Sequence, residues 1–166
     1  MNKTAVELGL EGEKLFRAQL DKIGQPYIYI DQEKNSYSNF FGSKANNKAK
    51  RPDYILSIKG FGSIAVDCKH QKIYQDKSKL GCYFTINSAE FFRAREFSYL
   101  FGLPWWWVFK NNEEHNGDWY WLNLRDISLD EFHHGNELLK IYTHKLILIS
   151  QTEFEEASCF SKIFSG

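Results

Sequence analysis

The chain has 166 residues with 21 basic and 21 acidic side chains, and its formal net charge of zero excludes a polycation that coats nucleic acid by bulk charge. Hydrophobic residues make up 43% and charged residues 25%, the balance of a soluble globular chain long enough for one sizeable core. No apolar run reaches membrane-span length, the N-terminus lacks a signal-type hydrophobic stretch, and the three cysteines show no paired metal spacing, which fits a reducing, cytoplasmic setting without membrane partners.

Thr4 and Glu7 have capping-box spacing and open a helix to about Ile23, stopped by Gly24 and Pro26. YIYID (27–31) reads as a short strand. Residues 32–51 form a long polar loop of the kind that carries function. YILSI and SIAVDCKH make a strand pair through the turn KGFG, and residues 72–80 are polar and basic. Asn87 caps a second helix that runs to Leu100–Phe101 and ends at Gly102 and Pro104, with Glu90 as the other half of a capping box. PWWWVFK (104–110) is a strand buried on both faces, followed by the strand WYWLNL. A helix around Leu129–Ile141, a strand in HKLILIS and a short terminal helix complete an α/β layered order, α-β-β-β-α-β-β-α-β-α.

The charges bounding the hairpin need a reason. Alternate strand residues share a face, so Asp67, Lys69 and Gln71 point one way and Cys68 the other. Simple register about KGFG brings Asp53 close to Asp67. Two adjacent carboxylates repel unless a cation neutralises them, and hard oxygen ligands suit Mg²⁺ or Mn²⁺. On this reading, removing the charge of Asp67 relieves repulsion and stabilises the metal-free protein. Taken singly, Asp67 and Lys69 read as a surface ion pair and Asp53 as a turn residue. Their spacing within one hairpin favours a site.

Pro52-Asp53, thirteen intervening residues, then Asp67-Cys68-Lys69 resembles the PD-(D/E)xK nuclease superfamily in its Asp-x-Lys form. Residues 4–110, about two-thirds of the chain, read in the αβββαβ order of that restriction-endonuclease-like core, a mixed central sheet flanked by helices. Residues 118–166 are then a C-terminal elaboration of a single domain spanning 1–166. Gly9-Leu10-Glu11-Gly12-Glu13, with Gly24 eleven residues on, is similar to the first helix of the Holliday-junction-resolvase branch. The helical wheel puts Glu13 at the edge of the inward stripe formed by Ala5, Gly9, Gly12, Phe16, Leu20 and Ile23, while Glu11 points to solvent. A carboxylate there needs a partner, either a neighbouring cation or the site.

The resemblance implies a Mg²⁺-dependent endonuclease that hydrolyses DNA to a 5′-phosphate. Asp53, Asp67 and the Cys68 carbonyl would hold the metal, Glu13 would be a further metal or water ligand, Lys69 would position the water and Gln71 would orient the site. A homodimer is implied as well, since two strands need two sites. A protein of the same fold that binds or scaffolds nucleic acid without cutting, and an RNA-directed nuclease, are the alternatives.

Lys44, Lys48, Lys50 and Arg51 precede the motif, and His70, Lys72, Lys77 and Lys79 follow it, so positive charge flanks the acidic pair as a phosphodiester substrate requires. Trp105, Trp106 and Trp107 are consecutive, cannot share one strand face, and read as core. His115, His133, His134 and His144 match no zinc spacing. Arg93, Arg95 and Lys110 have nothing local that selects them for phosphate.

Overall fold

The computed structural model describes residues 2–30, 49–78, 81–114, 117–128, 137–156 and 159–164. Helix α1 (Ala5–Ile23) opens on the expected capping box: Glu7 N–H donates to Thr4 Oγ1 at 3.2 Å, and Thr4 N–H to the Glu7 carboxylate at 2.7 Å. Gly24 closes it at φ 67°, a left-handed turn that a Cβ disfavours.

Strands β1 (Tyr27–Tyr29), β2 (Tyr54–Ile58) and β3 (Gly62–Gln71) form an antiparallel meander, with Tyr54 opposite Val66. Two further strands follow, β4 (Tyr74–Asp76) and β5 (Gly81–Asn87). Helix α2 (Ser88–Phe101) then returns the chain so that β6 (Trp105–Asn111) pairs parallel with β3. After β7 (Trp119–Asn123) come β8 (Leu138–Tyr142), β9 (Ile147–Ile149) and the short helices α3 (Gln151–Glu155) and α4 (Cys159–Phe164). The result is a mixed sheet ordered β1-β2-β3-β6-β7-β9 and a small antiparallel sheet ordered β4-β5-β8. Among the described residues no helix is long and apolar enough to cross a membrane, and Cys68, Cys82 and Cys159 are unbridged.

The large sheet separates two aromatic layers. Phe16 of α1 lies 5.4–5.9 Å, centroid to centroid, from Tyr54, Trp119, Trp121 and Phe154, and Trp106 joins this layer. Trp105 and Trp107 face the opposite layer with Phe91, Ala94 and Phe97 of α2. Every residue of β6 is buried, as expected for a central strand covered on both sides.

Three expectations are corrected. The polar stretch after β3 contains β4, and the chain before α2 is strand β5. The segment expected to be helical to Ile141 is strand β8 over 138–142, because Leu139 and Ile141 alternate inward with a period of two; residues 129–136 lie outside the described residues. The single terminal helix is two short ones.

Helix α1 approaches β3 closely at Gly12, where an added Cβ would lie 2.4 Å from His70 Cβ, an atom fixed to the strand. Helix propensity alone would make Gly12→Ala stabilising by about 1 kcal/mol. The contact predicts the reverse: a loss of roughly 1–3 kcal/mol from overpacking, read as a lower melting temperature. A variant melting above wild type would show that the helix shifts at no cost.

Candidate active site

Strand β3 outruns β2. Pairing between them stops at Tyr54 and Val66, so residues 67–71 keep β6 on one side and have no described strand on the other. Asp53, just beyond the end of β2, fills part of that gap. Its backbone N–H still donates to Val66 O at 2.9 Å, and its carboxylate Oδ2 accepts the Cys68 N–H at 2.7 Å, satisfying a donor that the shortened ladder would leave without a strand partner.

The gap is a cleft of about 290 Å³ where the two faces of the sheet communicate, lined by Glu13, Lys50, Asp53, Asp67, Lys69 and Gln71, with Cys68 and His70. The hairpin therefore brings Asp53, Asp67 and Lys69 together as expected, and α1 adds Glu13. Among the described residues no three His, Cys, Asp or Glu side chains form a metal cage by themselves. The two aspartates are 7% and 2% exposed, a costly burial for carboxylates.

The aspartates differ in their partners. Lys50 Nζ is 2.9 Å from Asp67 Oδ1, and Lys69 Nζ is 3.0 Å from Asp67 Oδ2, an ion pair without a well-directed hydrogen bond. Both ammonium groups also reach Glu90 Oε1, Lys69 at 2.5 Å and Lys50 at 3.2 Å. Burial pushes the Asp67 carboxyl up, but the two lysines outweigh it and hold the group below its ordinary range. Burial likewise works against the Lys69 charge, and Asp67 with Glu90 overcome it, so Lys69 is held as an ammonium ion. Asp53 goes the other way: burial first, then the charges of Asp67 and Glu13, push its carboxyl well above the ordinary range. The repulsion anticipated at Asp67 is thus carried by Asp53, and neutralising Asp67 would leave the two lysines sharing Glu90 as their carboxylate. Glu13, raised by burial, accepts from Tyr29 Oη at 3.1 Å.

Gln71 lines the cleft with its amide committed elsewhere. Its Nε2 donates to Thr85 O at 3.0 Å and its Oε1 accepts Thr85 N–H at 2.9 Å, which ties the end of β3 to β5. Lys50 points into the cleft rather than to the outer surface, Arg51 is buried, and Lys72 is exposed beside Glu113 at 3.2 Å. Lys44 and Lys48 lie outside the described residues, as do Lys79, His115, His133 and His134. Lys110 is buried and donates to Gly117 O. Glu11 is half-buried and pairs with Lys3 at 2.6 Å instead of pointing freely to solvent.

Glu90 is the residue that sequence reasoning misassigned. Asn87 caps α2 through the Ala89 N–H, and Glu90 turns instead to Lys50, Lys69 and the Trp107 indole N–H. Its spacing from the buried Ala94 and Phe97, four and seven residues on, is the signal that puts it on the inward face. His70, expected among the positive charges that flank the acidic pair, does not belong to them. Leu8 O accepts from its Nδ1 at 3.0 Å, and burial lowers its pKa, so the ring is held neutral with Nε2 as acceptor.

No protein-family model matches the sequence, and no curated protein sequence matches it significantly. A solved structure does: Hjc of Archaeoglobus fulgidus, a Holliday junction resolvase from an archaeal hyperthermophile, with a TM-score of 0.56 over 89% of this chain and 99% of that chain at 16% identity. At that identity the likeness establishes the fold, which is restriction-endonuclease-like.

The raised Asp53 carboxyl has a pH consequence. The native state binds this proton more tightly than the unfolded chain, so the contribution favours folding at low pH and is lost as pH rises from the ordinary carboxylate range through the native value. In metal-free buffer Asp53→Asn, whose amide oxygen still accepts the Cys68 N–H, should match wild type near pH 4. It should melt above wild type by pH 8. Melting below wild type at pH 8 would place the repulsion elsewhere.

Proposed function

We propose that the chain is a metal-dependent deoxyribonuclease that hydrolyses phosphodiester bonds. The observation that carries this is a buried, unequally neutralised pair, Asp53 and Asp67, with Lys69 beside it on the open flank of β3. The fold shared with a Holliday junction resolvase supports DNA as the substrate class.

The donor set fits a hard cation. Asp53, Asp67 and the Cys68 carbonyl would hold Mg²⁺ or Mn²⁺, with Glu13 as a further or water-mediated ligand, since such ions use one or two carboxylates and keep several waters. When bound, the ion polarises the phosphate and makes a coordinated water more acidic. Lys69, already an ammonium ion, would orient the attacking water as a donor and steady the charge growing on the phosphate; it has no lone pair to act as a base. Glu90 keeps that ammonium on the cleft side of β3, and Gln71, through Thr85, fixes the strand end on which the site is built. Lys50, paired with Asp67 at 2.9 Å, would pass from that carboxylate to a substrate phosphate. Lys44, Lys48 and Lys72 would add contacts to the substrate backbone, whereas Arg51 is buried. Two such chains would be needed to cut both strands.

One observation favours a second reading, a DNA-binding protein that does not cut: Lys50 already pairs with Asp67 Oδ1, where it neutralises the site without a metal.

Single-turnover assays on duplex, single-stranded and branched DNA with Mn²⁺, with an RNA arm, separate the two. Lys69→Ala should slow cleavage by about 10²–10³-fold while leaving DNA binding in Ca²⁺ unchanged. Mn²⁺ should raise the wild-type melting temperature, a stabilisation of about 1.4 kcal/mol at ten times Kd, and Asp53→Asn should abolish it. Cleavage by Lys69→Ala within a few-fold of wild type would remove the lysine from the mechanism. DNA binding with no cleavage and no metal-sensitive melting would establish the second reading.

A further inference from the structure

Asp67, Glu90, Lys50 and Lys69 form a closed quartet of charges. Lys50 Nζ lies 2.9 Å from Asp67 Oδ1 and 3.2 Å from Glu90 Oε1. Lys69 Nζ lies 3.0 Å from Asp67 Oδ2 and 2.5 Å from Glu90 Oε1. Each ammonium group therefore touches both carboxylates, and two positive charges balance two negative ones. Asp67 is buried, so its contacts are screened by salt far less than those of a surface pair.

This balance bears on any cation that approaches. Both oxygens of Asp67 already face ammonium groups. A divalent ion at that carboxylate meets two like charges in a space of low dielectric, and they oppose it. The opposition falls when one ammonium group withdraws.

The two lysines differ in how easily they can do so. Lys69 stands two residues from Asp67 on β3, with its Cα held opposite Phe109 by the pairing with β6, and its shorter contact is to Glu90. Lys50 comes from outside the sheet. Its N–H donates to Arg93 O of α2 at 2.9 Å, and its four-carbon stem can swing without disturbing that anchor. Its side chain lines the cleft and is 21% exposed, so its ammonium group can turn from Asp67 toward a phosphate entering there. When it does, Lys69 still touches both carboxylates, and neither is left bare.

We infer that Lys50 couples metal binding to DNA binding. In the metal-free protein its ammonium group supplies positive charge to Asp67 in place of a divalent ion, and a substrate phosphate draws it away. The inference rests on the nuclease reading and makes the two ligands cooperative: DNA tightens metal binding by the same factor as metal tightens DNA binding.

Mn²⁺ titration without DNA, followed by the electron paramagnetic resonance signal of unbound Mn²⁺, tests the competition. Lys50→Met keeps the apolar stem without the charge and should bind Mn²⁺ about 5- to 150-fold more tightly than wild type, the usual span of a coupling between sites. Lys50→Arg keeps the charge and should show no such gain. Lys59→Met removes the same charge from the turn between β2 and β3, at the far end of the hairpin, and should bind as wild type does. Anisotropy of a labelled DNA duplex at increasing Ca²⁺ tests the coupling. Wild type should bind DNA more tightly as Ca²⁺ rises, and Lys50→Met should respond by a smaller factor.

DNA binding by wild type that ignores Ca²⁺ would overturn the inference without any variant. Equal or weaker Mn²⁺ binding by Lys50→Met would also overturn it, since the lysine would then support the site rather than compete for it. A matching gain in Lys59→Met would reduce the effect to net charge, and an undiminished Ca²⁺ response in Lys50→Met would sever the two ligands; either overturns the coupling. Mn²⁺ bound with one affinity by all these proteins would remove the role of Lys50 and leave the nuclease reading standing. Mn²⁺ bound by none of them would remove the metal-dependent nuclease itself.

Discussion

Strand β3 continues five residues past its pairing with β2, and the buried charge of the site is gathered along that overhang. A central strand that loses one neighbour leaves backbone donors to satisfy and an opening between the two faces of the sheet. The Asp53 carboxylate answers the first need at Cys68 N–H. The opening is then a place where side chains from both faces meet, Glu13 from the α1 side and Lys69, paired with Glu90, from the α2 side. Had β2 matched β3 in length, Glu13 and Lys69 would be separated by a closed sheet.

The charge pattern of the overhang is lopsided in an instructive way. Asp67 has two lysines within ion-pairing distance and stays ionised despite its burial; Asp53 bears the repulsion of its neighbours. A buried carboxylate with two cationic partners is satisfied as a structural unit. One whose proton is favoured by adjacent negative charge has a reason to accept a metal ion in its place. The two aspartates are therefore not interchangeable, although the motif presents them as a pair.

The surrounding scaffold limits movement of these groups. Gly12 lets α1 sit against His70, while Phe16, one turn farther on, is locked among four aromatic rings. On the other flank, Gln71 spends its amide on Thr85 and joins the large sheet to the small one. The geometry of the cleft and that of the small sheet thus share one strand end, tied together through a few hydrogen bonds.

Local signals in the sequence determined a good part of this. Capping at Thr4 and Asn87, the glycine stops, the KGFG hairpin and the two-sided burial of the tryptophan strand follow from short-range chemistry, and so does the meeting of Asp53, Asp67 and Lys69 within one hairpin. Strands β4, β5 and β8 were not legible, because short half-buried strands that pair with distant partners resemble polar loop or helix in isolation. Glu90 was read as a cap because a glutamate in a first helical turn has a sufficient local explanation; only the packing of α2 over β3 sets it beside Lys69. Lys50 and Arg51 looked like exposed loop cations, yet the path of residues 49–51 along α2, anchored by Lys50 N–H to Arg93 O, turns one into the cleft and buries the other. The sequence by itself determined which charged residues the hairpin brings together. Only the tertiary structure decided which charges neutralise which, because that depends on distances between segments far apart in the chain.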